Sequence, residues 1–233
     1  MKTCLVGCGG IAAVHGSVLT SGIDTEFVAA ADIKLEKAQS YAENFHTKPY
    51  PSLESMLEAE KPDVLHICTP HYLHVPMAIY SLERNINVFM EKPPAISFDQ
   101  LEELKKAAAK SDAQLGFCYQ NRYNASIRAA KDLIDSGKSG KVLGARAFVT
   151  WCRGAAYYTE SGWRGSLKTE GGGGLINQSV HTQDLLCFLL GDPTAVDATM
   201  TNHHLKDVIE VEDTLESYIC LLYTSPSPRD PKT

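Results

Sequence analysis

Gly7-Cys8-Gly9-Gly10-Ile11-Ala12 is the stretch of this 233-residue chain that leaves the fewest folds open. It follows a short β-prone run, 3–6, and precedes a helix-compatible run reaching Gly22. In the order strand, glycine turn, helix, the first glycine permits a tight turn and the second lets the backbone approach a pyrophosphate. A small third residue, Ala12, lets helix and strand pack closely, and the helix N-terminus supplies unpaired N–H groups and a positive dipole end. Alone the pattern is weak, because any tight turn can carry it. Its sequel narrows the choice. The run 26–32 reads as a second strand ending in Asp32, 20 residues past Ala12 (32 − 12), where a carboxylate would accept hydrogen bonds from an adenosine ribose. Capping of the helix predicted over 33–45 is the alternative role for Asp32. The carboxylate would repel a 2′-phosphate, and Ile33 follows it rather than an arginine. NAD is therefore expected in preference to NADP.

Export readings of the same start fail on length. The apolar stretch before Gly7 is shorter than the roughly 7–15 residues a signal requires, although Leu5-Val6-Gly7-Cys8 imitates a lipoprotein cleavage box. With 44% hydrophobic and 21% charged residues the composition is that of an ordinary globular protein. A net charge of −6 argues against a nucleic-acid-binding surface. No apolar run reaches the roughly 18–20 residues that span a bilayer, so no membrane partner is expected; 185–190 reads as a buried helix segment. The seven cysteines are scattered, odd in number and without a C-x-x-C pair. That suits a reducing cytoplasm better than a disulfide framework. His71 with His74, and His203 with His204, lack carboxylate or thiolate partners at metal-site spacing, so no metal is expected.

Strand and helix signals alternate to residue 120. The strand at 63–68, counted as the fourth, leads into a helix at 71–85 whose Pro76 is tolerable in a first turn. A strand at 86–91 leads to a helix at 97–111, with Ser97 and Gln100 in a capping box, and 114–120 closes the series. Such alternation predicts an α/β fold, a doubly wound parallel sheet covered by helices, with ligand at the carboxyl ends of its strands. After Gln120 the pattern changes. A helix at 124–137 is followed by a long alternating strand at 141–152, a glycine-rich loop, a helix at 175–191, and strands at 194–202 and about 213–222. The expectation is a dinucleotide-binding domain over 1–120 and an α+β domain with an open, mainly antiparallel sheet over 121–222. Residues 223–233, a Ser/Pro run, break every pattern and read as a non-native tail.

Three motifs accompany the opening loop: TPHYLH (69–74), EKPPA (91–95) and GGGGLINQSVHTQDLL (171–186). Over about residues 2–222 the set resembles the glucose–fructose oxidoreductase / inositol 2-dehydrogenase / rhizopine-catabolism (Gfo/Idh/MocA) family. The resemblance implies an N-terminal Rossmann domain, a C-terminal domain whose open sheet mediates homo-oligomerisation at full length, an NAD cofactor and a sugar-like substrate. It also implies a cis peptide before Pro93. Cofactor contacts are expected from Gly7, Gly9, Gly10, Ile11, Ala12, Asp32, Ile33, Thr69, Pro70, His74, Glu91, Lys92 and Gln120. Substrate contacts are expected from Lys92, Arg122, Tyr158, Trp163, Arg164, Asn177 and His181. Family members are longer, so the chain reads as C-terminally truncated.

Lys92 directly follows an apolar strand and is fixed by Pro93 and Pro94. Near a nicotinamide, its ammonium could stabilise a developing alkoxide or, with a lowered pKa, transfer a proton. A strand-end lysine paired with Glu91 is the even alternative, and the family resemblance implies the catalytic one. Asn177, His181 and Asp184 fall at i, i+4 and i+7, on one helical face. A histidine there suits acceptance of a hydroxyl proton, or is simply packed at a domain seam. Members of the family often carry Asp where this chain has Asn177, which cannot hold a negative charge. The glycines at 171–174 are either a bare loop or a place where backbone closes over substrate. Tyr157, Tyr158, Trp163 and Arg164 resemble the substrate loop of members acting on sugars. Aromatic faces suit pyranose C–H surfaces and arginine can fork onto carboxylate or phosphate; ordinary loop packing is the alternative. The combined expectation is a cytoplasmic NAD-dependent dehydrogenase of a secondary hydroxyl on a sugar, cyclitol or sugar nucleotide, with Lys92 and His181 moving the proton. A non-catalytic dinucleotide sensor or scaffold on the same fold is the alternative.

Overall fold

The computed structural model describes residues 1–22 and 24–221; the run 223–233, read as a non-native tail, lies outside the described residues. The described chain forms two units: Met1–Cys118 with Lys168–Gly171, and Tyr119–Leu167 with the residues from Gly172 on.

The first unit is built on six strands: β1 (Lys2–Val6), β2 (Glu26–Ala31), β3 (Lys48–Tyr50), β4 (Val64–Ile67), β5 (Asn87–Met90) and β6 (Leu115–Phe117). They lie in the order β3-β2-β1-β4-β5-β6, and every pairing is parallel. Helices α1 (Ala12–Leu19), α2 (Leu35–Phe45), α3 (Leu53–Glu60), α4 (His74–Leu82) and α5 (Phe98–Lys110) make the crossovers. Parallel strands covered on both faces must be apolar throughout, which is why β1 buries four of its five residues. Leu5, Leu65, Ile67 and Met90 are wholly enclosed, each stabilising the fold by roughly 1.5–3 kcal/mol.

The third strand, which the sequence reading counted without locating, is Lys48–Tyr50, and the unforeseen helix α3 follows it behind a Ser52 cap. Ser97 caps α5 as expected, its hydroxyl accepting from Gln100 N at 3.2 Å, while the Gln100 side chain reaches Ile96 N rather than Ser97. Residues 71–73 are a 3₁₀ turn, so Pro76 stands third in α4 and costs no hydrogen bond.

Register decides where chemistry can gather. Val6 pairs with Ala31 and with Ile67, Ile67 with Met90, and Met90 with Phe117. Each of these strands therefore ends at one level. Gly7, Asp32, Cys68, Glu91 and Cys118, the residues that follow, emerge side by side at the sheet's carboxyl edge. The strand order reverses between β1 and β4, which opens a crevice there.

The second unit holds α6 (Ala125–Asp135), α7 (Ala155–Thr159), a π-helical turn at Gly174–Ser179, α8 (Val180–Leu190) and an antiparallel pair, β7 (Pro193–Thr201) with β8 (Thr214–Leu221). Three expectations are corrected here. The run 141–152 is not a strand: it makes no ladder with β7 or β8, and Leu143, Phe148 and Trp151 are 93%, 83% and 62% exposed. Alternation licenses a strand only where an edge pairs with it, and a cavity of about 1240 Å³ separates this run from β8 and α8. The 185–190 segment is half-buried except for Leu190, since within the described unit only a two-stranded sheet backs it. The helix read over 175–191 starts as a π turn, for a reason that lies in Glu212. No helix among the described residues is long and apolar enough to cross a membrane.

Candidate active site

In the first unit, Gly7 carries the turn. Its φ is +92°, and a Cβ there would lie 2.7 Å from the Cys68 carbonyl carbon, so only glycine fits. Its N–H donates to Ala31 O at 2.8 Å, locking the loop to β2. Open space surrounds Gly9 and Gly10, where nothing would meet an added Cβ. Ile11 precedes α1 without a side-chain cap, the N–H groups of Ala12 and Val14 bond Gly9 O and Ile11 O within the turn, and Ala12 is fully buried against the sheet. Asp32 accepts from Cys8 N and from Lys34 N, both at 2.9 Å. It is therefore not the cap of α2; Lys34 precedes that helix, and Asp32 closes a local turn while facing the glycine loop. Burial and the Asp32 charge push the Cys8 thiol up to about 12, so it stays protonated. Ile33 is exposed. Thr69, beside Gly7, has a buried hydroxyl without a partner among the described residues. An open diglycine, a helix N-terminus without a side-chain cap and an orphaned hydroxyl fit a dinucleotide phosphate group.

Lys92 follows β5 across a cis peptide to Pro93 and is half-buried. Behind it, Glu91 accepts from His15 Nε2 at 3.0 Å and from Lys92 N at 3.3 Å. Burial pushes the Glu91 carboxyl up, but the His15 and Cys118 hydrogen bonds and the Lys92 charge outweigh it and hold the group below its ordinary range. His74 is fully buried, with Nδ1 2.9 Å from Pro93 O and Nε2 2.9 Å from Thr69 O. Burial lowers its pKa, and a neutral ring donates to one of these carbonyls at a time. Both His74 and Glu91 thus brace the strand ends from behind, whereas Thr69, Pro70 and Lys92 keep some exposure.

In the second unit, Gln120 is exposed in a 3₁₀ turn, and Arg122, in the same turn, grips Asp184 of α8 with two nitrogens, Nε at 2.8 Å. His181, three residues before Asp184, stands edge-on to Tyr119 with ring centroids 6.1 Å apart. Burial, aided by Asp184, pushes the Tyr119 phenol up to about 12. Asn177 stands one turn before His181, where the π-helical turn and α8 meet. It belongs to the π turn, and its amide donates to Tyr157 Oη at 3.3 Å. The Glu212 carboxylate fastens that turn, accepting from Gly173 N at 3.0 Å and Leu175 N at 2.7 Å. A Cβ on Gly173 would come within 2.0 Å of Glu212 O. That glycine is thus used for backbone-to-backbone approach within the protein.

Tyr158 packs into a small core with Ile209 and Val211, and the Oη of its neighbour Tyr157 accepts from the Asn177 and Gln178 amides at 3.3 Å. The Arg164 guanidinium lies 4.2 Å from the Tyr157 ring centre and 4.7 Å from that of Trp163, and its buried Nε has no partner among the described residues. Sequence reading missed His15, Glu212 and the Arg122–Asp184 pair. Only His15 left a signal: it lies with Ala12, Gly16 and Leu19 on the buried stripe of α1, a polar residue in an apolar position.

Comparisons with known proteins bear on the fold and the family. A chain of 32% identity, the WlbA dehydrogenase from Chromobacterium violaceum solved with NADH and UDP-GlcNAcA, superposes with a TM-score of 0.90 over 95% of this chain and 64% of its own. Its counterpart from Bordetella pertussis, with the same two ligands, gives 0.85 at 31% identity, over 94% of this chain and 66% of its own. D-glucoside 3-dehydrogenase of Escherichia coli K12 is 29% identical over 83% of this chain and 55% of its own length. The chain thus spans about half the length of such curated relatives. Residues 1–119 match the oxidoreductase family with an NAD-binding Rossmann fold, and residues 127–221 match its C-terminal domain. The chain belongs to the GFO/IDH/MocA family of oxidoreductases.

Proposed function

We propose that this protein is an NAD-dependent dehydrogenase acting on a secondary hydroxyl of a sugar, cyclitol or sugar nucleotide. One observation carries the reading: the register of the first unit brings the glycine loop, Asp32, the Thr69 hydroxyl and Lys92 to one edge of the sheet. The loop N–H groups and the α1 N-terminus would hold the pyrophosphate, and Asp32 the adenosine ribose. The chemistry NAD supplies when bound is acceptance of a hydride from a carbinol carbon. Lys92 hydrogen-bonds the substrate hydroxyl and stabilises the developing alkoxide. His181 takes the hydroxyl proton, with the Tyr119 ring holding its imidazole in place. The stacked Arg164 suits an anionic group on the substrate, and two relatives above 30% identity were solved with an acidic sugar nucleotide. Homo-oligomerisation through the exposed face of β7 and β8 belongs to the same proposal.

The test is reduction of NAD by the purified protein against a panel of sugars, cyclitols and nucleotide sugars. Lys92→Met and His181→Ala should each lower turnover at least about a hundredfold with dinucleotide affinity nearly unchanged. Full turnover in either variant would remove that residue from the mechanism. NAD binding with no turnover on any member of the panel would favour a sensor.

A further inference from the structure

Beneath the glycine loop, the first unit encloses a row of polar groups that the proposed chemistry leaves unused. His66 Nδ1 lies 2.9 Å from His15 Nδ1, His15 Nε2 lies 3.0 Å from Glu91 Oε1, and Glu91 Oε2 accepts the Lys92 N–H at 3.3 Å. The Cys118 thiol also hydrogen-bonds Glu91. His15 and Glu91 are 6% and 7% exposed. The row thus joins α1, which follows the glycine loop, to the ends of β4, β5 and β6.

Proton placement follows from donor and acceptor counts. The Glu91 carboxylate only accepts, so His15 Nε2 carries the proton that lies between them. On the other side of the ring, His15 Nδ1 and His66 Nδ1 share one proton across 2.9 Å. His66 is itself neutral, since burial and the nearby His15 pull it down to about 4. Enclosing a carboxylate costs several kcal/mol unless it is fully bonded, so apolar side chains would have packed this space more cheaply. Something other than packing requires the carboxylate.

We propose that His15 and Glu91 are positioning residues: their hydrogen bond ties the helix behind the dinucleotide loop to the backbone of Lys92, holding loop and lysine at one spacing. The inference rests on the proposed role of Lys92. A lysine that must meet a hydroxyl beside a bound cofactor tolerates little displacement, because a shift near 1 Å costs about a hundredfold in rate. Lys92 follows a strand end and precedes two prolines, so its place depends on where the backbone at Glu91 is held. The Glu91 Oε2 bond to its N–H supplies that constraint directly.

The test uses the full chain with three variants. His15→Leu fills the space without a donor. His15→Gln can put an amide N–H near the Nε2 position. Glu91→Gln removes the charge and keeps the shape. His15→Leu should lower kcat at least about tenfold, with KM for sugar and dinucleotide within about twofold, and His15→Gln should restore most of the loss. A second readout follows Lys92 itself by the NMR signal of its dimethylated side chain, assigned by its disappearance in Lys92→Met. The groups facing Glu91 are His15, Cys118 and Lys92, with His74 and Cys68 sensing its charge. In Glu91→Gln the Lys92 midpoint should fall by about one unit as the neighbouring negative charge is lost, and in His15→Leu the signal should shift. Unchanged kcat and an unchanged Lys92 signal in His15→Leu would overturn the proposal. So would equal impairment of the leucine and glutamine variants with the Lys92 signal unmoved, which would mark a purely structural bond. The atoms of His15, Glu91 and Cys118 also lie within 4.8 Å of one another, so stoichiometric zinc uptake lost in His15→Leu would overturn it in favour of a metal site. Full turnover in Lys92→Met would instead sink the role of the lysine, and its NMR signal would still decide whether the tie exists.

Discussion

Asp32 shows how one side chain selects between two cofactors that differ by a phosphate. Two backbone N–H groups fix its carboxylate, one from the glycine loop and one from the chain leading into α2, so it cannot swing aside for an incoming anion. Ile33, rather than an arginine, follows it in the chain. NAD should therefore bind at least about tenfold more tightly than NADP, and Asp32→Ser should narrow that ratio. Titration calorimetry with both cofactors checks this; tighter NADP binding by the wild type would end the ribose assignment. At Gly7 the constraint is steric. Alanine would need a positive φ and would meet the Cys68 carbonyl, so Gly7→Ala should cost roughly 2–4 kcal/mol and weaken NAD binding together with stability. A denaturant midpoint within error of wild type would show that the turn can relax.

Elements were legible where local pattern and tertiary pairing agree. β1, β4 and β5 are short apolar runs between turn residues, and the fold buries them on both faces as such runs demand. The run 141–152 carries a stronger alternation than any of these, yet it forms no ladder, because alternation says nothing about which edge is available. β3 escaped notice for the opposite reason: three residues containing Pro49 carry no period. The candidate site divides likewise. Gly7, Asp32 and Lys92 lie next to the strand ends that place them, whereas the His15–Glu91 bond spans 76 residues that no local window covers. Glu212 is the same kind of miss, and it yields a test at this scale. Its carboxylate serves two N–H groups at the start of the π turn, so Glu212→Ala should destabilise the second unit by about 1–2 kcal/mol. Chemical denaturation would read that loss, and an unchanged midpoint would show that the glycines suffice. Glu60, at the end of α3, gives a pH signature. The Tyr50 hydroxyl first, then Lys48 and Lys2, hold its carboxyl down at about 2. Its contribution is complete above the ordinary value of 4.5 and is lost as pH falls through about 2. Glu60→Gln should flatten the acid limb of a stability–pH curve in that window, and a curve that keeps its acid limb would remove Glu60 as its source.

At the scale of the whole molecule, the two units differ in how much apolar surface they enclose. The first surrounds a six-stranded sheet with helices and has a continuous core running from Cys4 to Leu104. The second unit's described residues have one antiparallel pair, and Val196, Met200 and Tyr218 on it are exposed. A two-stranded sheet with so little cover is marginal in water, whereas a covered parallel sheet is not. Unfolding should therefore not be two-state: the second unit should melt first and the first unit at higher temperature. The chain has two tryptophans, Trp151 and Trp163, and both belong to the second unit. Tryptophan emission thus follows that unit alone, while far-ultraviolet circular dichroism follows both. The emission transition should precede the main loss of dichroism. NAD at about 100 times its Kd should raise the upper transition, by about 2.7 kcal/mol of added stability, and leave the lower one nearly in place. Coincident transitions that move together with NAD would show instead that the two units fold as one cooperative body.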